Sequence, residues 1–172
     1  ALKMHGGVPK TELGTENLEA LEKGLPNLLR HVSNVRNVYK LPCVVAVNRF
    51  PTDTDAEIEM VINECRTLGV NVVLSTVWAD GGAGGEELAR EVVKLCEAPN
   101  DFSFSYPLDG TIEEKIEAVA KRVYRADGVT FTAAAKKEIA TLTALGYDKL
   151  PVCMAKTQYS FSDDPQKRGA PE

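Results

Sequence analysis

The stretch LPCVVAVNRFPTDTDAEIEMVINECRTLGVNVVLSTVW, Leu41 to Trp78, decides the fold. Its first apolar run, ending VVAVN, is continuous and not alternating, so it reads as a strand covered on both faces. Thr54 followed by Glu57 makes a capping box, and Ile58, Val61, Ile62 and Cys65 repeat at helical spacing until Gly69 stops the helix. VNVVLSTVW then repeats the character of the first run. A strand, a helix of about four turns and a second core strand with short links form a β-α-β unit, whose strands run parallel.

Working outward, the unit extends in both directions. Upstream, Leu18, Leu21, Leu25, Leu28, Leu29 and Val32 predict an amphipathic helix, disturbed near Pro26 because proline lacks a backbone donor. Downstream, glycines 81, 82, 84 and 85 precede a helix near 86–96, and DFSFSYPL is a candidate exposed strand. Thr111 with Glu114 caps the next helix, Thr132 begins another, and LPVCMA reads as a last strand near 151–155. The expected fold class is α/β, a parallel sheet covered by helices in a Rossmann-like three-layer domain. It spans 1–172 as one unit, with a leading loop at 1–14 and a trailing loop at 156–172.

Composition narrows the function. Twenty Lys and Arg against 25 Asp and Glu give a net charge of −5, which argues against a general nucleic-acid binder. No apolar run approaches the ~20 residues of a membrane helix. The cysteines, Cys43, Cys65, Cys96 and Cys153, form no CxxC pair and read as buried thiols in a reducing compartment. His5 and His31 have no acidic or cysteine cluster at metal-ligand spacing, so no metal site is assigned. The chain starts at Ala1 and not at Met, which reads as a cut or processed beginning.

In a parallel α/β sheet, ligands bind at the carboxyl ends of the strands. Four segments fall there: 48–54, 76–85, 106–111 and 156–164. Phe50 and Trp78, the only tryptophan, follow successive core strands at equivalent places; the tryptophan reads either as core packing or, if the strands are neighbours, as one of two rings that clasp a flat heterocycle. Asn48 offers an amide at the strand tip, and Arg49 a rigid cation for a carboxylate or phosphate, or else for a helix-capping network with Thr52, Asp53 and Thr54. Lys156, Thr157 and Gln158 are similarly placed. The glycine run is a phosphate cradle or a flexible turn, but its spacing is neither GxxxxGK[ST] nor GxGxxG, and two acidic residues already occupy the start of the next helix. No serine sits in a G-x-S-x-G elbow. The residues alone support a small-molecule-binding α/β domain without naming a reaction.

ALKMHGG, VVAVNRFPTDTDAEI, TVWADGGAGGEELA, EKIEAVAKRVYRADGV and LPVCMAKTQYSFSDDP together resemble, in this order, blocks of the formate–tetrahydrofolate ligases. The likeness spans essentially the whole chain. It departs at Arg125, where a glycine is expected, and in lacking a P-loop. The resemblance implies an internal segment of an enzyme that joins formate and tetrahydrofolate with ATP and Mg2+ through formyl phosphate, a monovalent cation being a further candidate cofactor.

It also implies that Phe50 and Trp78 are the ring positions of the folate pocket. Asn48, Arg49, Pro51, Asp80, Gly81, Gly82, Gly84 and Gly85 complete the candidate pocket, and no catalytic residue is assigned. Partners would be the rest of the ligase, including its P-loop domain, in a cytoplasmic homo-oligomer, with the mitochondrion as the alternative compartment. The segment alone is expected to be inactive. The alternatives are a non-catalytic interaction domain separated from its parent enzyme and a P-loop-related nucleotide-binding domain. VVAVN with its following basic residue echoes the NKxD strand of GTPases, but Pro51 stands where the aspartate belongs.

Overall fold

The computed structural model describes residues 1–154, 160–164 and 166–171. Strands β1 (Val44–Asn48) and β2 (Asn71–Ser75) pair in parallel, with Val45 opposite Val72 and Val47 opposite Leu74. Helix α3 (Asp55–Thr67) makes the crossover between them. It begins at the expected capping box: the Glu57 amide donates to Thr54 Oγ1 (3.3 Å) and the Thr54 amide to Glu57 Oε2 (3.4 Å). It ends at Gly69, φ +64°, where the Val70 amide donates to the Cys65 carbonyl and the Gly69 amide to that of Arg66. This six-to-one closure uses the left-handed conformation that glycine adopts without a Cβ penalty.

Helix α2 (Leu18–Ser33) packs on the same side of the sheet as α3. Leu21, Leu25, Val32, Val45, Val61, Cys65 and Val70 form one buried cluster, with Val47 and Val72 packed against it. Side chains alternate across a strand, so Asn71 points the other way. Its amide donates to Glu91 of α5 (Glu86–Glu97) at 2.7 Å, which seats α5 on the opposite face. Helices therefore flank a parallel sheet as expected, but among the described residues that sheet has two strands. It is too narrow for the full three-layer Rossmann sandwich read from the sequence.

Among the described residues two expected strands are absent for an identifiable reason: side chains and other loop backbone take the groups that a ladder would use. In 151–154, Tyr106 donates its hydroxyl to the Val152 carbonyl (2.8 Å) and accepts from the Val152 amide (2.9 Å). Just before it, the fully buried Lys115 of α6 (Ile112–Val119) donates to the carbonyls of Asp148 and Leu150. In DFSFSYPL, the Ser103 amide donates to the Tyr39 carbonyl, and Arg122 donates to that of Ser105. Both segments are irregular. Ala155 of the expected strand, Lys156, Thr157 and Gln158 lie outside the described residues, as does part of the trailing segment.

Three further expectations are corrected. Helix α2 runs unbroken through Pro26, because tertiary packing of the adjacent Gly24 and Leu25 holds the segment helical. A Cβ on Gly24 would lie 2.0 Å from the Leu2 carbonyl oxygen, so glycine is what lets the short helix α1 (Leu2–His5) lie against α2. Residues 1–14, read as a loop, thus hold α1 and a 3-10 turn at Lys10–Glu12. Of the four cysteines, Cys65 is buried, Cys43 is half-buried, and Cys96 and Cys153 are exposed.

Helices α2 and α6 both run on into π turns, Asn34–Val38 and Ala120–Tyr124, joined by the Asn34 side-chain Nδ2 donating to the Val123 carbonyl at 2.9 Å. Arg125 follows the second turn at φ +64°, the left-handed conformation that a glycine would take there. Its guanidinium reaches Ser33 and Asn34 of the first π turn's approach at 3.4 and 3.5 Å. Helix α7 (Ala133–Ala144), capped by Thr132 and closed at Gly146, completes the described helices.

One buried ion pair ties the amino-terminal elements to the sheet. Lys3 Nζ lies 2.9 Å from Glu57 Oε1 and donates to the Thr15 carbonyl at 3.0 Å. The Asn17 amide donates to the same carboxylate at 2.9 Å. Burial alone would raise the Glu57 pKa. The bonds from Asn17, Lys3 and Thr54, with the charge of Lys3, outweigh it and hold the carboxyl below its ordinary value. A carboxylate depressed in the native state contributes stability that is fully present above the unfolded pKa, about 4.3 for glutamate, and is lost as pH falls through the lower native value. Urea midpoints measured from about pH 6 down to pH 3 should therefore fall in the acid part of that window. Glu57→Gln should be less stable at neutral pH and should flatten this acid slope; an unchanged slope would remove Glu57 from the account.

Candidate functional site

The site is built where the two strands end. The ladder carries one bond past β1, from the Arg49 amide to the carbonyl of Ser75, the last residue of β2, at 3.0 Å. Beyond it the chain turns sharply. The Phe50 amide donates to Asp53 Oδ2 (2.8 Å), and the Asp53 amide donates back to the Phe50 carbonyl (3.0 Å). This reciprocal pair fixes the turn Phe50–Pro51–Thr52–Asp53 and projects Phe50 away from the core.

After β2 the geometry differs. The strand expected to reach residue 77 ends at Ser75, and Val77–Asp80 form one helical turn, α4, that carries Trp78. The turn is held by the amides of Ala79 and Asp80, which both donate to the Thr76 carbonyl at 2.9 Å. The glycine run Gly81–Gly85 forms a 3-10 turn that folds back onto the strand end, with the Thr76 amide donating to the Gly84 carbonyl at 3.0 Å.

A Cβ on Gly84 would lie 2.5 Å from the Thr76 carbonyl carbon, and one on Gly85 would meet Val77 at 2.9 Å. Gly81 takes φ +59°, ψ −142°, a region essentially confined to glycine. Close approach and chain reversal therefore account for Gly81, Gly84 and Gly85. Gly82 has open space. The acidic first turn of α5, Glu86 and Glu87, stands where an anion would need to bind.

Phe50 and Trp78 meet. Their ring centroids are 6.3 Å apart with planes inclined at 55°. Phe50 is 43% exposed and Trp78 62%, so this pair sits on the surface and is not core packing. The sequence places both rings at one sheet edge, and there they are. The resemblance implies further a gap of about 7 Å around a bound pterin, wider or partly collapsed without one. The observed rings are closed on each other, at an angle that leaves no slot for a flat ring.

The polar candidates divide. Arg49 is engaged: its Nη2 donates to Asp55 Oδ1 at 2.9 Å, a half-exposed pair at the start of α3. Such a pair is worth at most about 1 kcal/mol, so a competing anion can displace it. The turn itself is stabilised by Asp53 and Thr54, as the capping alternative anticipates. Pro51 is exposed within the turn. Asn48 and Asp80 are exposed, two residues from Phe50 and Trp78 respectively, and among the described residues neither side chain has a protein partner.

Sequence reasoning identified Glu57 only as a cap. It missed Lys3, whose one local signal is its place in the ALKMHGG block.

Two surface clefts lie elsewhere. One of about 410 Å3 is lined by Arg36, Cys43, Arg66, Gly69, Asn71 and Glu91, at the amino ends of the strands. The other, about 840 Å3, is lined by Arg30, Tyr124, Arg125, Asp127, Phe161 and Lys167. Neither includes Phe50 or Trp78. Among the described residues no three His, Cys, Asp or Glu side chains gather to hold a metal ion, and no helix is long and apolar enough to cross a membrane.

The family model described as formate–tetrahydrofolate ligase matches residues 1–172, and the chain belongs to that family.

The two glycine roles make a direct contrast. Gly84→Ala should separate the glycine turn from Thr76, cost about 1–3 kcal/mol as overpacking does, and shift the emission of Trp78. Gly82→Ala should leave both within about 0.5 kcal/mol of wild type and spectrally unchanged. Equal behaviour of the two in urea melts followed by Trp78 fluorescence would contradict the packing assignment.

Proposed function

We propose that, in this member of the formate–tetrahydrofolate ligase family, Phe50 and Trp78 form the two jaws that hold the pterin ring of tetrahydrofolate. One observation carries the reading: two exposed rings, from loops after neighbouring parallel strands, in contact at 6.3 Å. Exposed aromatic surface of this size is favourable to bury, and a pterin offers two flat faces with polar edges. Asn48 and Asp80 supply an amide and a carboxylate close by in sequence for those edges, and Arg49 a cation that Asp55 holds only at the surface. Binding requires the rings to part and turn toward parallel, so each ring trades a ring–ring contact for a ring–pterin contact and the slot closes when empty.

Family membership supports a ligase-type role in formate and tetrahydrofolate one-carbon metabolism for the complete enzyme. The family reaction would use ATP and Mg2+. The described residues do not fit either group: no acidic cluster suited to a metal is present among them, and the sequence contains no GxxxxGK[ST]. No phosphoryl-transfer step is therefore assigned to this chain's side chains. They bind and orient the folate, while the phosphate chemistry belongs to a P-loop region of the complete ligase.

A second role has its own observation. Phe102 and Phe104 stack edge to face at 5.1 Å, about half exposed, and Val93 of α5 is 58% exposed. These apolar surfaces suit contact with other parts of the ligase.

Trp78→Ala should weaken tetrahydrofolate binding by about 1–3 kcal/mol, since it removes stacking and buried apolar area together. ATP affinity of the complete enzyme should change far less. Calorimetric titration of both ligands decides it, and equal folate affinity in variant and parent would return Trp78 to a loop-packing role.

A further inference from the structure

We infer that Lys3 and Glu57 are positioning residues for the Phe50 jaw: their buried ion pair sets where the 49–54 turn stands relative to Trp78. The geometry makes one junction of three chain segments. Lys3 comes from α1, and its Nζ reaches both carboxylate oxygens of Glu57, at 2.9 Å to Oε1 and 3.2 Å to Oε2. Thr15 and Asn17 come from the approach to α2, contributing a carbonyl acceptor at 3.0 Å and an amide donor at 2.9 Å. Thr54, whose amide donates to Glu57 at 3.4 Å, directly follows the Phe50–Asp53 turn and caps α3. Lys3 and Glu57 are 8% and 5% exposed, so these directional bonds act in a medium that water barely screens.

The turn has two anchors. On the sheet side, the Arg49 amide is fixed to Ser75. On the other side, Thr54 is fixed to Glu57. Phe50 hangs between them. Trp78 is held separately, through Thr76 and Gly84. The jaws therefore have independent mounts, and loss of the junction moves one of them alone.

Stability does not explain the ion pair by itself, since a buried pair is often matched by apolar residues of similar size. What apolar residues cannot do is accept the Asn17 and Thr54 amides, the groups that give the turn its height and direction. This assignment rests on the folate reading only for its ligand arm; the ring geometry is measurable without ligand.

The test uses the 172-residue chain, in which Trp78 is the sole tryptophan and reports on the jaw without ambiguity. Nuclear Overhauser contacts between the Phe50 and Trp78 rings, Trp78 emission, and quenching by tetrahydrofolate are compared in wild type, Glu57→Gln and the double variant Lys3→Met with Glu57→Met. Amide signals of Arg49 and Val72 report whether the sheet persists.

The expectation is that the double variant regains stability relative to Glu57→Gln yet still loses the ring–ring contacts, with its tetrahydrofolate dissociation constant raised about 10- to 100-fold, the scale of an ångström's misplacement. A purely structural role predicts the opposite, with contacts returning as stability returns. Should the double variant fail to fold, Glu57→Gln, which keeps the side-chain shape, decides alone. Ring contacts and emission unchanged in a folded variant overturn the assignment. Absence of quenching in the wild type overturns the folate reading, and the ring contacts still decide the positioning role.

Discussion

The carboxylate of Glu57 is where three stretches of this chain meet. It is the third residue of the α3 capping box, the acceptor for the amide that begins α2, and the partner of the buried ammonium on α1. A charged group out of water must have its bonding capacity filled, so each of those stretches has one allowed placement. From that junction the chain passes directly into the loop that carries Phe50. The other determinant is local: the parallel pairing of β1 with β2 brings the ends of both strands, and hence both aromatic loops, to one edge.

Much of this was legible in the residues. Continuous apolar runs either side of a capped amphipathic segment specify a parallel β-α-β unit, and both Thr-x-x-Glu boxes, at Thr54 and Thr111, cap helices as read. Gly69 and Arg125 both adopt the left-handed conformation that their places at helix ends call for, one at ease and one against its chirality. These signals are short-range, and sequence states short-range physics well.

What sequence concealed depends on partners far along the chain. Nothing near Lys3 announces Glu57, 54 residues away. LPVC has the composition of a strand, but Tyr106, 46 residues earlier, occupies both backbone groups of Val152. Pro26 is a local reason for a kink that Gly24, packed against Leu2, overrides. At the site, the meeting of Phe50 and Trp78 followed from strand order alone. Their closure onto each other depends on ring orientations that no spacing encodes, and the glycine run's service to Thr76 needed coordinates to be told from a phosphate cradle.

The proposed folate slot would differ from the closed, tilted rings by a modest rearrangement. Breaking an aromatic contact costs about 0.5–1.5 kcal/mol, and two ring–pterin faces replace one ring–ring face. The central claim is that the empty pair opens to admit a pterin without moving the strands beneath it. The most direct measurement is a crystal structure of this chain with tetrahydrofolate bound. The account predicts a pterin between Phe50 and Trp78, the rings near parallel and about 7 Å apart, over an unchanged β1–β2 register. Folate bound elsewhere, with the two rings still in contact at their tilted angle, would contradict it.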